Sequence, residues 1–331
     1  MNHSKNRKFA NIACLFILPI LVACSNKTDN GRINMEECYK RIDILPLESS
    51  YSSCHKPKLA VYNKGFIVQE DSISLSFYDI DGSLKKKMTF DVVDDFSIYK
   101  EKKLYVLASS KIETYDLTNF TCYEVFHIPD TSFSFFKIAG RNDNVVLISA
   151  LRDGYDYFCE YYIKEKKFYP CQGAMKGSNH LLGKVLRSSS YLYSEGELYF
   201  FYSNTGTVWR MADFNTPDYQ YSIKHNAPGE IKFNNIQMTR EKIFMHVEMD
   251  GDDFCVITEK DNPHASVLLA SDSTHDLPLG VIYDNINYVL CKSEVIDKYV
   301  SRDLIDNEGE SILDSLNSTI SCDVIIKYHL R

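Results

Sequence analysis

The signatures that usually announce an enzyme are missing from this 331-residue chain. There is no Gly-x-Ser-x-Gly, no His-Glu-x-x-His, no phosphate-cradling glycine loop and no dinucleotide fingerprint. The sequence therefore offers no serine elbow, zinc pair or phosphate nest. No cysteine pair has Cys-x-x-Cys spacing, and the histidines are scattered, which leaves no zinc-ligand pattern. Clustered positive charge is scarce: Lys85-Lys86-Lys87 is the one tight basic run in a chain of formal charge −8. Nucleic-acid binding needs grouped Lys and Arg to displace counterions, so that class is set aside. The lysine run follows a turn and reads as a solvated strand edge. No catalytic residue, metal or cofactor is called for.

Long apolar runs are also few. Ile12 to Ala23 holds twelve residues and contains Pro19, short of the ~20 needed to span a bilayer as a helix. It follows Lys5, Arg7 and Lys8 and ends in Leu21-Val22-Ala23-Cys24. That is the layout of a secretory signal peptide closing in a lipobox, after which the new N-terminal cysteine is acylated. On this reading residues 1–23 are a lipoprotein signal peptide and Cys24 is the lipid attachment site. Residues 24–35 form a polar tether, and residues 36–331 form the folded domain. The removed segment holds three positive charges and no acid, so the mature charge falls to −11. A flexible tether of this length reaches ~18 Å, which places the domain close to a membrane of the cell envelope.

Beyond Cys24 lie Cys38, Cys54, Cys122, Cys159, Cys171, Cys255, Cys291 and Cys322. Export permits disulfides, but a chain this large does not need them, and buried free thiols acting as small hydrophobes are the default. One pair stands apart. A tight turn centred on Glu165 would set Cys159 opposite Cys171, near disulfide distance.

Tyr and Phe number 23 and 19, and short β-branched and aromatic segments alternate with Gly, Asn, Asp and Ser turns. This is a strand-rich pattern. A unit repeats. Lys64-Gly65-Phe66-Ile67-Val68 leads to Ser76-Phe77-Tyr78-Asp79-Ile80, then to a strand over 84–90. Lys102-Lys103-Leu104-Tyr105-Val106 leads to Glu113-Thr114-Tyr115-Asp116-Leu117, then to a strand over 121–128. The pattern recurs near Val145, Leu198, Ile243 and Tyr288, with an average step of 44 residues. Four-stranded propeller blades repeat every ~40–45 residues. A lone small sheet buries too little, so radial packing of copies is the stable solution. The fold class is therefore all-β, a six-bladed β-propeller. Its inner strands are expected near Phe66, Leu104, Val145, Leu198, Ile243 and Tyr288. Arg41–Leu45 and Asp323–Tyr328 are the strands expected to close the ring. Val295, Ile296 and Tyr299, then Ile312, Leu313 and Leu316, have helical spacing, and predict a short helical insertion before the C-terminal strand.

The lipobox, Ile44-Leu45-Pro46-Leu47-Glu48, Tyr78-Asp79-Ile80-Asp81-Gly82 and Val324-Ile325-Ile326-Lys327-Tyr328-His329-Leu330 together resemble the six-bladed β-propeller lipoproteins of Bacteroidetes, sometimes called TolB-like. The resemblance covers nearly the whole mature chain and implies a fold and a location more than an activity. The early Gly-Arg-Gly-x-Gly-Glu-Tyr-like loop common in that family has no counterpart here, so no ligand site is carried over from it.

Other motifs read as structural. With Trp209 alone, a tryptophan motif in every blade is excluded, and the Ser-x-Asp-x-Gly-x-x-Trp boxes of sialidase propellers are absent. Met249-Asp250-Gly251-Asp252-Asp253 reads as a hairpin turn rather than a calcium loop. Tyr191, Tyr193, Tyr199, Phe200, Phe201, Tyr202 and Trp209 read as wedges between blades, with Arg187 and Arg210 flanking them. The expected function is a binding or scaffold module, anchored to the membrane by lipid. Its partner would be a glycan, a peptide or another envelope protein. The alternative is a propeller glycoside hydrolase or lyase acting on extracellular polysaccharide, which requires carboxylates converging ~5–10 Å apart. Loops at Gly140–Asp143, Tyr193–Glu197, Thr239–Glu241 and Asp284–Ile286 are the candidate site.

Overall fold

Each repeat folds into a four-stranded antiparallel sheet, and six such sheets account for all the strands described. The computed structural model describes residues 35–48, 57–130, 132–153, 155–172, 190–202, 206–211, 218–222, 231–249, 252–260, 262–270, 278–316 and 321–331. The signal, Cys24, nearly all of the tether and Cys54 lie outside them.

Blade 1 runs through Lys58–Tyr62, Gly65–Gln69, Ser74–Asp79 and Leu84–Thr89. Blade 2 runs through Asp95–Tyr99, Lys103–Ala108, Lys111–Asp116 and Thr121–His127. Blade 3 runs through Ser134–Gly140, Val145–Arg152, Tyr155–Tyr162 and Lys167–Gln172. Blades 4 and 5 begin at Ser190–Ser194 and Ile231–Met238 and follow the same order. Blade 6 is composite. Val281–Tyr283, Ile286–Lys292 and Asp323–Leu330 are completed on the outside by the N-terminal strand Tyr39–Pro46. The two expected closing strands do pair, with Ile44 opposite Ile326 and Leu45 opposite Ile325. Arg331 reinforces the seam: its Nε donates to the Glu36 carbonyl at 2.8 Å.

The first strand of each blade touches the first strands of both neighbouring blades, and these contacts close a ring of six. They are the inner strands. The segments expected to be innermost, around Phe66, Leu104, Val145, Leu198, Ile243 and Tyr288, are instead the second strands. The repeat pattern was anchored on the most apolar strand. That strand is the second because both of its faces are buried between blades, as at Phe66-Ile67-Val68 and Leu104–Ala108.

The seams hold the core. Tyr62, Ile67, Phe77, Phe96, Leu104 and Val106 pack between blades 1 and 2. Equivalent clusters fill the other seams, including Phe158 against Phe200 between blades 3 and 4, with ring centroids 4.9 Å apart. A buried apolar side chain of this size stabilises by ~1.5–3 kcal/mol. The described part of the 191–209 aromatic run serves these seams, with Phe200 facing blade 3 and Phe201 facing blade 5.

The insertion follows the second strand of blade 6. It comprises short helical turns at Ser293–Lys298 and Arg302–Leu304 and a helix at Asn307–Leu316. Ile296, Leu304, Leu313 and Leu316 bury against Ile42, Val289 and Tyr328, and the Tyr328 hydroxyl donates to the Tyr299 carbonyl at 2.6 Å. No helix among the described residues is long and apolar enough to cross a membrane. On the outer edge of blade 1, Lys85 pairs with Asp79 at 2.7 Å and Lys87 with Glu70 at 2.5 Å. The lysine run is a charged strand edge, as its sequence implied.

In blade 3 the register sets Pro170 opposite Cys159 and Cys171 opposite Phe158. The turn holds four residues between Tyr162 and Lys167, so its centre falls half a residue short of Glu165 and the pairing slips by one. A one-residue slip moves a side chain to the other face of a sheet. The direct opposition of Cys159 and Cys171 is therefore not formed, and the Cys159 side chain is buried.

Candidate functional site

The candidate loops all turn out to join a first strand to a second strand, and side-chain contacts gather them on one face. Lys100, in the blade 2 hairpin, pairs with Asp143 in the blade 3 hairpin at 2.8 Å. Tyr193 of blade 4 donates to the Gly140 carbonyl of blade 3 at 2.7 Å. Arg240 in the blade 5 hairpin lies 3.7 Å from Glu195 in the blade 4 hairpin. The Tyr283 hydroxyl of blade 6 donates to Glu101 of blade 2, reaching past the blade 1 hairpin. The result is a rim in which the hairpins of blades 2 to 6 are tied to one another.

Local chemistry explains why these turns are tight. Glu195-Gly196 and Asp284-Asn285 have positive φ at both residues, the conformation that matches the twist of two-residue hairpins. Lys100 and Glu101 also lie in the left-handed region. In blade 1, Gly65 has φ +146°, and a Cβ there would lie 2.0 Å from the Tyr78 carbonyl oxygen. Only glycine permits that approach.

Two polar groups are buried beneath the rim. Arg141 Nη1 donates to Glu160 at 2.5 Å, and the Tyr162 hydroxyl donates to the other oxygen of Glu160 at 2.9 Å. Lys260 Nζ donates to Ser194 Oγ at 2.9 Å, and that hydroxyl donates to the Thr239 carbonyl at 3.3 Å. Burial lowers the Lys260 ammonium's pKa, against the opposing pull of Glu195 and Glu197. The hydrolase alternative asks for carboxylates facing one another. Among the described rim residues, Glu101, Asp143 and Glu195 each face a phenol or a cation of a neighbouring hairpin. Arg210 lies 3.7 Å from Glu197, and Arg187 is outside the described residues. Among the described residues, no group of three or more His, Cys, Asp or Glu is placed to hold a metal ion.

Sequence reasoning missed the polar groups of the inner ring. Lys58 Nζ, on the first strand of blade 1, donates to Asp95 Oδ1 and to the Phe96 carbonyl, both at 2.5 Å. Asp95 Oδ2 accepts the Ile138 amide of blade 3 at 2.9 Å. One buried carboxylate therefore joins three consecutive blades. Burial lowers the pKa of Lys58, Asp95 opposes this, and Lys137 adds to it. Tyr62, Tyr99, Tyr193 and Tyr283 each stand at or just before the end of a first strand, and mark where the chain turns into the hairpin, but nothing local marks the polar groups.

No family model matches the sequence, and no curated protein matches it. Solved structures of low identity share the fold. BF0058 of Bacteroides fragilis, a protein named for its expected export, aligns with a TM-score of 0.67 at 11% identity, over 92% of this chain and 98% of that one. A DUF4221 family member from Bacteroides vulgatus aligns at 0.54 and 8% identity, over 88% and 97%. A streptogramin B lyase aligns at 0.50 and 10% identity, over 76% and 80%. At such identities the likeness is one of fold: this chain is a six-bladed β-propeller with a short helix before its last strand.

Proposed function

We propose that this chain is an exported, lipid-anchored propeller that acts as a binding or scaffold module at the cell envelope, with Cys24 as its acylated N-terminus. The basic start, the short apolar run and the lipobox support the anchor. The observation that carries the binding role is the rim, where hairpins of five blades are tied through Lys100–Asp143, Tyr193–Gly140, Arg240–Glu195 and Tyr283–Glu101. Loops held in one arrangement lose little entropy when a partner docks, and such a surface suits a glycan, a peptide or another envelope protein. Export of a B. fragilis protein of the same fold, as its name anticipates, agrees with this location.

Two experiments test the proposal. Metabolic labelling with a fatty acid should mark the wild type and spare Cys24→Ala; equal labelling of both overturns the anchor. A thermal-shift screen of the protein against glycans and peptides should find a ligand that raises stability as RT ln(1 + [L]/Kd). Turnover of a glycan or peptide that is abolished by replacing a rim carboxylate would favour the enzyme instead.

A further inference from the structure

One described lysine of the inner strands stands without a partner. Lys58 and Asp95 neutralise each other at 2.5 Å, and the remaining Asp95 oxygen is occupied by the Ile138 amide. Lys137 belongs to the same ring, on the first strand of blade 3. It is only partly exposed, and no ion-pair or hydrogen-bond partner meets its ammonium among the described residues. Lys58, Arg141 and Lys260, by contrast, all have partners.

The direction of the Lys137 side chain follows from its neighbours. Ile138 packs into the seam between blades 2 and 3, whereas Phe136 and Ala139 pack into the seam between blades 3 and 4. Lys137 pairs in register with Ser149, whose hydroxyl bonds the Tyr191 hydroxyl of blade 4 at 2.9 Å. Lys137 thus stands on the blade 4 side of its strand, beside two hydroxyls. Its charge nevertheless acts on Lys58, which is two blades away. The shared Asp95, which holds Lys58 on one oxygen and the Ile138 amide on the other, brings the two strands near each other.

We propose that the central channel binds an oxyanion group, a carboxylate or phosphate, with Lys137 as its charged anchor and the hydroxyls of Ser149 and Tyr191 beside it. An entering oxyanion supplies the partner that the Lys137 ammonium lacks among the described residues. Charge-assisted bonds of this kind are about twice as strong as neutral ones. In a chain rich in acids, the placement of an unbalanced lysine on the innermost strand selects anions over neutral ligands. The inference goes beyond the envelope-module reading, because it rests on channel residues alone and not on the rim.

The test is a thermal-shift titration of the full lipidated chain in detergent with inorganic phosphate, sulfate and acetate, each against chloride at matched ionic strength. Wild type should show a saturable rise in Tm, about 2–4 °C at tenfold over Kd, with at least one of the three. The rank of phosphate, sulfate and acetate then says which oxyanion geometry the site prefers. Lys137→Met should lose that rise, Lys137→Arg should retain it, and Lys102→Met, at an exposed lysine of the blade 2 hairpin, should retain it too. In chloride alone Lys137→Met should melt no lower than wild type, since it removes an unpaired charge. Absence of any anion-specific rise in wild type, or a full rise in Lys137→Met, overturns the proposal. A lower Tm for Lys137→Met in chloride also overturns it, because it would mean that the lysine is already paired. Binding of a glycan or peptide at the rim that survives Lys137→Met would leave the envelope-module reading standing while this one fell.

Discussion

Lys100 and Lys58 show how differently the rim and the inner ring of this propeller treat the same side chain. Lys100 sits on the rim and pairs with Asp143, both of them open to water. The Asp143 bond holds its pKa above the ordinary lysine value. Lys58 pairs with Asp95, which is almost wholly buried, yet burial outweighs that partner and the pKa falls. The difference teaches that proximity to a carboxylate does not decide the sign of a shift; the water lost around the pair does. The rim is a self-paired surface that shapes loops. The inner ring is where one lysine, Lys58, is tied into the core and another, Lys137, stands without a partner among the described residues.

Breaking the inner pair should have the largest effect. Asp95→Ala would strand the Lys58 ammonium and the Ile138 amide together. Removing one partner of a buried pair costs ~3–5 kcal/mol, and the partial exposure of Lys58 points to the low end, about 3 kcal/mol. Denaturant unfolding should read this directly. Asp95→Asn, which keeps an acceptor for Ile138, should cost less, and an equal loss for both variants would show that the charge and not the amide contact is decisive.

The pH dependence should separate the two lysines by sign. For Lys58, the unfolded chain holds a proton that the folded chain has already released, in the window between its lowered pKa and 10.5. Stability from this group therefore rises with pH across that window. For Lys100 the folded pKa is raised above 10.5. Its contribution is complete below 10.5 and is lost as pH climbs through the raised value. Unfolding curves of Lys58→Met and Lys100→Met between pH 8 and 11, each compared with wild type, should diverge in opposite directions. Parallel curves would refute the contrast.

Asp143→Ala should do least. Exposed ion pairs contribute little because water and salt screen them, so its melting temperature should match that of wild type within error. A clear loss would mean that the rim is held by its charges and not by its hairpin conformations.

Most of the fold was legible because the second strands announce themselves. Phe66-Ile67-Val68 and Leu104–Ala108 are buried on both faces, which reads as an apolar run at a regular step. Closure was legible for the same reason, in Ile42, Ile44 and Val324–Ile326. The first strands were not. Lys58, Asp95, Ser97 and Lys137 interrupt their apolar pattern. Register shifts at Phe135/Lys137 and Phe233/Asn235 also break the alternation that would mark them. The candidate loops were found because tight turns carry Gly, Asn and Asp whatever they bind. The Lys58–Asp95–Ile138 junction joins residues up to 80 positions apart, and no local pattern encodes such a meeting. The direct opposition of Cys159 and Cys171 gave way to a four-residue turn whose centre lies half a residue before Glu165.

The central claim is that anion recognition belongs to the channel and not to the lysine-bearing rim. Diffraction from crystals of the protein grown with selenate, whose anomalous signal marks the anion, tests it most directly. The account predicts a selenate within hydrogen-bond reach of Lys137 Nζ, on the channel side of the blade 3 inner strand, that disappears in Lys137→Met. Selenate bound only to rim lysines such as Lys100 and Lys103, with none beside Lys137, would contradict it.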